Sequence, residues 1–268
     1  MSLLRVGRGF ESVRMVPLLL LRGRSFVKTT RFRNPIYLGD PLNIIRIFNE
    51  KAVDEIAILD IDATRERRGP NFDYIAAIAE EAFMPLSYGG GITNLDDAQR
   101  LFRGGVEKVI LNSAMHRNLK LATEISEAFG SQAIAGMIDV KKNWLDRHQV
   151  SSGVRQRTQV SSPVEWAHKL VEAGVGEIIL QAIDRDGTMN GYDLDALHAI
   201  TSEISVPVMV CGGASSIQDM VRAVVDGGAS AVAAGALFVF YGPHRAVLIN
   251  PPSQDEFQRC LAAATSHV

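Results

Sequence analysis

Only two cysteines, Cys211 and Cys260, occur in 268 residues, too few and too irregularly spaced for a disulfide framework or a thiolate metal site. Such sparing cysteine use fits a reducing cytoplasm. An excess of one charge is also missing. With 28 Lys and Arg against 30 Asp and Glu, the net charge is −2 and the signs are dispersed, so neither nucleic acid nor an anionic membrane is expected as the main partner. The six histidines form no HxxxH or paired arrangement, so no metal and no cofactor is expected. No apolar run approaches the roughly 20 residues that span a bilayer. A conspicuous one near the N-terminus, Met15 to Leu21, contains Pro17 and is followed by Arg22 and Arg24 without a small-x-small cleavage pattern. It reads as a strand buried on both faces, as in a parallel sheet.

What is present is ordinary globular composition, 47% hydrophobic and 22% charged, together with an internal repeat. The segment starting at Val53 resembles the one starting at Val175. Glu55 pairs with Glu177, Pro85 with Pro207, Gly90 and Gly91 with Gly212 and Gly213, and Gly104 and Gly105 with Gly227 and Gly228. Strands are expected to begin near Arg14, Glu55, Met84, Glu107, Ala133, Glu177, Pro207 and Ser230. Amphipathic helices are expected between them, among them Leu42–Phe48, Asn94–Phe102, Pro163–Val171 and Ile217–Val225. Eight β-α units with a twofold repeat predict an α/β (β/α)8 TIM barrel rather than a doubly wound open sheet. One barrel domain is expected over 1–268, with an N-terminal extension at 1–12 and a C-terminal tail or helix at 242–268.

Ligands of such barrels bind at the C-terminal ends of the strands. There the repeat places Tyr88–Ile92, YGGGI, and Cys211–Ser215, CGGAS, each running into a helix. Gly-Gly at a helix N-terminus can cradle a phosphate. A lone pair can equally be a tight connection, and it is the recurrence at repeat-related positions that points to a ligand with a phosphate at each end. Leu111–Ala114, LNSA, and Ala233–Ala236, AAGA, close the other side of each cradle. Of the acids at strand ends, Asp62 and Asp184 are expected to order loops, whereas Asp139 and Asp186 are candidates for proton transfer. At the opposite end, Arg14, Glu55, Lys108 and Glu177 each open a strand. Period-two counting turns them all inward, which predicts a charged ring on the barrel floor.

From about Arg14 to Tyr241 the chain resembles the cyclase subunit (HisF) of imidazole glycerol phosphate synthase. The motifs that carry the likeness are VPLLLL, LDIDAT, YGGGI, KVILNSA, GSQAIAGMIDV, EIILQAIDRDGT, NGYD and CGGA. The resemblance implies a HisH-like glutaminase subunit docked on the floor as a heterodimer. Ammonia would pass a salt-bridge gate matched by Arg14, Glu55, Lys108 and Glu177. At the mouth, a bisphosphorylated formimino carboxamide ribotide would be cyclised and cleaved to imidazole glycerol phosphate and an aminoimidazole carboxamide ribotide. Asp139 matches the second of two catalytic aspartates and Lys28 the lysine of the first loop. Gly90, Gly91, Asn112, Asp186, Gly187, Gly213, Gly235 and Ala236 match phosphate-site positions, with Ser113 and Gly212 in the same cradles.

The departure lies in strand one, where Leu20 stands at the position of the first aspartate. Leucine cannot carry a proton, and losing one member of an acid–base pair forfeits a factor of about 10² to 10⁴. Gln181 and Cys211 replace small hydroxyl residues near the second cradle, Cys211 being expected to fill space. The segment Asn143 to Val160 lacks the family's glycine-bearing pattern before Trp166, itself expected in the core. A branch of paralogues is similar in its strand-one leucines, its VKT loop and an ending like LFVFYGPHRAVLINPP. It implies ammonia delivery to a sugar amidotransferase that installs acetamidino groups on surface polysaccharide (LPS). Two other readings stand beside it: a histidine-pathway cyclase, and a phosphosugar isomerase of the same barrel lineage working without a glutaminase.

Overall fold

The computed structural model describes residues 13–152 and 162–266; the expected extension at 1–12 and part of the segment ending at Val160 lie outside them. Eight parallel strands form the barrel: β1 Arg14–Arg22, β2 Ile56–Asp60, β3 Leu86–Gly89, β4 Lys108–Leu111, β5 Ile134–Lys142, β6 Glu177–Ala182, β7 Val208–Cys211 and β8 Ala231–Ala234. β8 pairs with β1 in parallel, Val16 opposite Ala233, and this pairing closes the cylinder. Each strand starts within two residues of its expected position.

The apolar runs form strands because both their faces are covered. One face packs on the helices, in a core that includes Leu19, Ile58, Tyr88, Ile138 and Val232; the other fills the barrel with Val16, Leu18, Leu20, Ala57, Ile110, Met137, Ile179 and Met209. The helices Leu95–Arg103 and Ile217–Val225 begin alike. Asn94 accepts from the Asp97 N–H and Ser216 from the Asp219 N–H, while Asp97 and Asp219 accept in return from Thr93 and Ser215. The repeat therefore extends to its reciprocal helix caps. Among the described residues no helix is long and apolar enough to cross a membrane.

Two excursions were not expected from the pattern. After β1 the chain folds into an antiparallel hairpin, Ser25–Thr30 with Arg33–Gly39. After β5, His148–Val150 returns antiparallel along the strand's end. Helix Gln254–Thr265 occupies the C-terminal segment, with Phe257 and Leu261 buried.

Candidate active site

The floor holds the four charges that the strand starts placed inward. Arg14 donates to both Glu55 and Glu177. Lys108 Nζ lies 2.5 Å from Glu177 Oε2 and 3.5 Å from Glu55 Oε1. Ser87 Oγ donates to Glu55 at 2.6 Å, a fifth member that charge patterning could not flag although Ser87 pairs in register with Lys108. The acid side chains are 5–6% exposed, whereas Arg14 keeps 30% and Lys108 17%. The ring is thus closed from inside and wet from outside. Burial works to lower the Arg14 pKa, but the attraction of Glu177 and Glu55 outweighs it and holds the guanidinium firmly charged.

At the other end, the hairpin after β1 bends over the mouth. Its Lys28 Nζ meets Asp186 Oδ1 at 2.6 Å and Thr29 Oγ1 donates to Asp186 Oδ2 at 3.1 Å, with all three residues buried. The Arg31 N–H donates to the Asp186 carbonyl at 2.9 Å. Gly187 makes this approach possible: its φ is +69°, and a Cβ there would collide with the Thr29 carbonyl oxygen. Beneath Lys28 lies a small depression whose walls include Asp186, Gly187, Gly212, Gly213, Gly235 and Ala236. The glycines of the second candidate cradle thus share one depression with the paired side chains of Lys28 and Asp186. The Lys28 side chain runs across Gly235, where a Cβ would stand 3.0 Å from Cε.

The inner layer at the mouth is divided in two. On consecutive strands lie Asn112, just beyond β4, then Asp139, Gln181 and Cys211, with Asp139 opposite Gln181 and Gln181 opposite Cys211 in register. Asn112 Nδ2 donates to Asp139 Oδ2 at 2.8 Å. The other oxygens, Asn112 Oδ1, Asp139 Oδ1 and Gln181 Oε1, are buried without a partner. Unpaired buried acceptors are costly and mark a place for donor groups. Burial pushes the Asp139 carboxyl up to about 7; the Asn112 hydrogen bond opposes the rise and the Asp186 charge adds to it. A carboxyl so placed can give or take a proton near neutrality. Burial likewise pushes the Cys211 thiol up to about 12, leaving it a space-filling group. The opposite half of the layer is apolar: Leu20 sits in register with Leu59 and with Val27 of the hairpin.

At the first cradle, Gly90 has φ +119°, and a Cβ would stand 2.5 Å from the Asp60 carbonyl oxygen, so the turn tolerates only glycine. Gly91 follows against the Arg68 carbonyl, and Ser113 lies half-buried beside Asn112. Asp60 accepts a bidentate pair from Arg68 at 2.8 and 2.9 Å and also the N–H groups of Asp62 and Ala63. Asp62 accepts from Arg22 and Arg65, and Asp184 from the Lys142 N–H. These acids order loops. The structure brings Lys28, Asp186, Gly187, Gly212, Gly213, Gly235 and Ala236 together around one depression, joins Asn112 to Asp139, and sets the Gly90–Gly91 cradle apart at β3. Trp166 is buried in the core and stacked on His116 at 4.5 Å.

Comparison with known proteins agrees with this geometry. Residues 14–242 match the family described as "Histidine biosynthesis protein". A Pseudomonas aeruginosa protein named "Putative imidazole glycerol phosphate synthase subunit hisF2" is 51% identical over 239 residues, covering 89% of this chain and 95% of that protein. A Leptospira interrogans protein similarly named as subunit HisF is 44% identical over 246 residues, 91% of this chain and 96% of its own. "Imidazole glycerol phosphate synthase subunit HisF" of Alkaliphilus metalliredigens is 38% identical over 226 residues, covering 84% and 89%.

Proposed function

The chain belongs to the histidine biosynthesis protein family, and from that premise we propose that it is a HisF-type synthase subunit, docked at its floor on a HisH-like glutaminase, that receives ammonia through the ring of Arg14, Glu55, Lys108 and Glu177. The ammonia serves acetamidino-sugar formation for surface polysaccharide by a separate sugar amidotransferase, while cyclase chemistry is weak or lost. One juxtaposition carries this reading: an intact ion-pair ring at one end of a barrel whose other end offers Leu20 across from Asp139. A ring of four charges costs desolvation and is useful as a gate. The mouth it leads to retains half of an acid–base pair.

In this reading Asp139 is the surviving proton carrier, held by Asn112. Lys28 and Asp186 flank the second phosphate position, formed by Gly187, Gly212, Gly213, Gly235 and Ala236. Gly90, Gly91, Asn112 and Ser113 form the first. A second reading, a cyclase of histidine biosynthesis, has its own support in the Asp139 carboxyl poised near neutral pH beside a formed cradle. The purified chain, incubated with the ribotide and excess ammonium salt, separates the two. Substrate loss at about 1 s⁻¹ or faster refutes the conduit reading. An inert parent in which Leu20→Asp creates turnover supports it. Co-purification with a glutaminase subunit tests the floor.

A further inference from the structure

We infer that the rim of the barrel mouth is the docking surface for an acidic protein that takes up the ammonia leaving the barrel; this rests on the conduit reading above. Exposed large apolar side chains are distributed unevenly over the molecule. Among the described residues, Phe83 precedes β3 at the floor end, while Phe32, Tyr37, Trp144, Leu145 and Tyr241 lie on segments that follow strands at the mouth. Trp144 is 90% exposed and Tyr241 65%, a large amount of aromatic surface for a protein to leave in water.

These side chains form one rim. They rise on the hairpin after β1, on the turn between Lys142 and His148, and on the small hairpin of Phe240–Tyr241 with Ala246–Val247. All three lean on the same loop after β6. Arg31 Nε donates to the Asp184 carbonyl at 3.2 Å, the Lys142 N–H to Asp184 Oδ2 at 2.8 Å, and Arg245 to the Gly187 and Thr188 carbonyls at 2.9 and 3.2 Å. The rim carries an excess of bases although the chain carries −2: Arg31, Arg33, Lys141, Lys142, Arg147 and Arg245 stand against Asp146, with Asp184, Asp193 and Asp195 facing the turn at Lys142. Exposed Trp, Tyr and Phe with Arg is the composition of a protein interface centre. Like charge opposes a second copy docking mouth to mouth, and charge complementarity asks for an acidic face. The apolar residues stand on three separate tips around the loop after β6 rather than forming one wedge for lipid.

A photo-cross-linking residue placed at Trp144, and in a second variant at Phe83, tests the inference in cells. The expected result at Trp144 is a covalent adduct with an enzyme whose reaction consumes ammonia, identified by mass spectrometry. That adduct falls about tenfold with R31E and R33E combined, while the adduct of the Phe83 variant with the glutaminase is unchanged. Failure to obtain such an adduct at Trp144 overturns the inference. In that case, glutaminase captured at Phe83 leaves the conduit reading standing, and rapid ribotide turnover removes it. Binding of the purified chain to vesicles of phosphatidylethanolamine and phosphatidylglycerol, abolished by Trp144→Ser, would assign the rim to lipid and also overturn the inference.

Discussion

Replacing Asp139 by asparagine is expected to stabilise the protein, and to do so only where the native aspartate is forced to ionise. The carboxyl is 5% exposed and pushed up to about 7 from 3.8, by burial first and by the Asp186 charge in addition, against the opposing Asn112 hydrogen bond. Between about pH 4 and 7 the unfolded chain has therefore released this proton while the native protein still holds it. Stability then falls as pH rises, by about 1.4 kcal/mol per pH unit, and levels off above 7. Over the whole window the loss is about 4 kcal/mol, a large fraction of the 5–15 kcal/mol typical of a domain. Asp139→Asn keeps the shape and an oxygen for Asn112 but cannot ionise. The variant should match the parent near pH 4 and exceed it by up to about 4 kcal/mol at pH 8. Urea denaturation of both proteins at a series of pH values measures this, because titrating groups not coupled to Asp139 cancel in the difference. A difference that stays constant with pH, or a variant weaker at pH 8, would refute the assignment of a buried, proton-holding carboxyl at this position.

Glu177→Gln removes one acid from the floor ring and leaves Arg14 and Lys108 sharing Glu55. Stability should drop by about 2 kcal/mol, less than for a fully buried pair because Arg14 is 30% exposed, and bulk ammonium should then support any activity that glutamine no longer does. Gly187→Ala strains a φ of +69° and drives a methyl at the Thr29 carbonyl, so the hairpin should lift and proteolysis between Gly23 and Gly39 should accelerate, with about 1–3 kcal/mol lost globally. Cys211, with its thiol pushed up to about 12, should resist thiol reagents at pH 8 until urea unfolds the chain, leaving Cys260 as the native labelling site; native labelling of Cys211 would contradict its burial.

The barrel was readable because its signals are local and repeated. The pleat of a strand alternates with period two whatever its neighbours do, so counting from Arg14 correctly turned Leu20 inward, and counting from Glu177 did the same for Gln181. The repeat then fixed which turns face the mouth. Contacts formed between distant segments were hidden. Lys28 and Asp186 are 158 positions apart, and the likeness to a family suggested a first-loop lysine without revealing the hairpin that carries it or its seat on Gly187. The Asn112–Asp139 bond and the three unpartnered oxygens likewise exist only once β4, β5 and β6 stand side by side. Ser87 escaped notice because a hydroxyl at a strand start has no patterned signature.

Between the ring of charges and the divided mouth, the inward positions include Val16, Leu18, Ala57, Ile110, Met137, Ile179 and Met209. Such a lining offers no substitute for a hydration shell, and stripping a small ion bare costs tens of kcal/mol in the idealised limit. The cylinder therefore separates two aqueous worlds electrically. On the conduit reading proposed above, ammonia would have to shed its proton before entry and regain one only after exit, so that acid–base traffic is confined to the two rims.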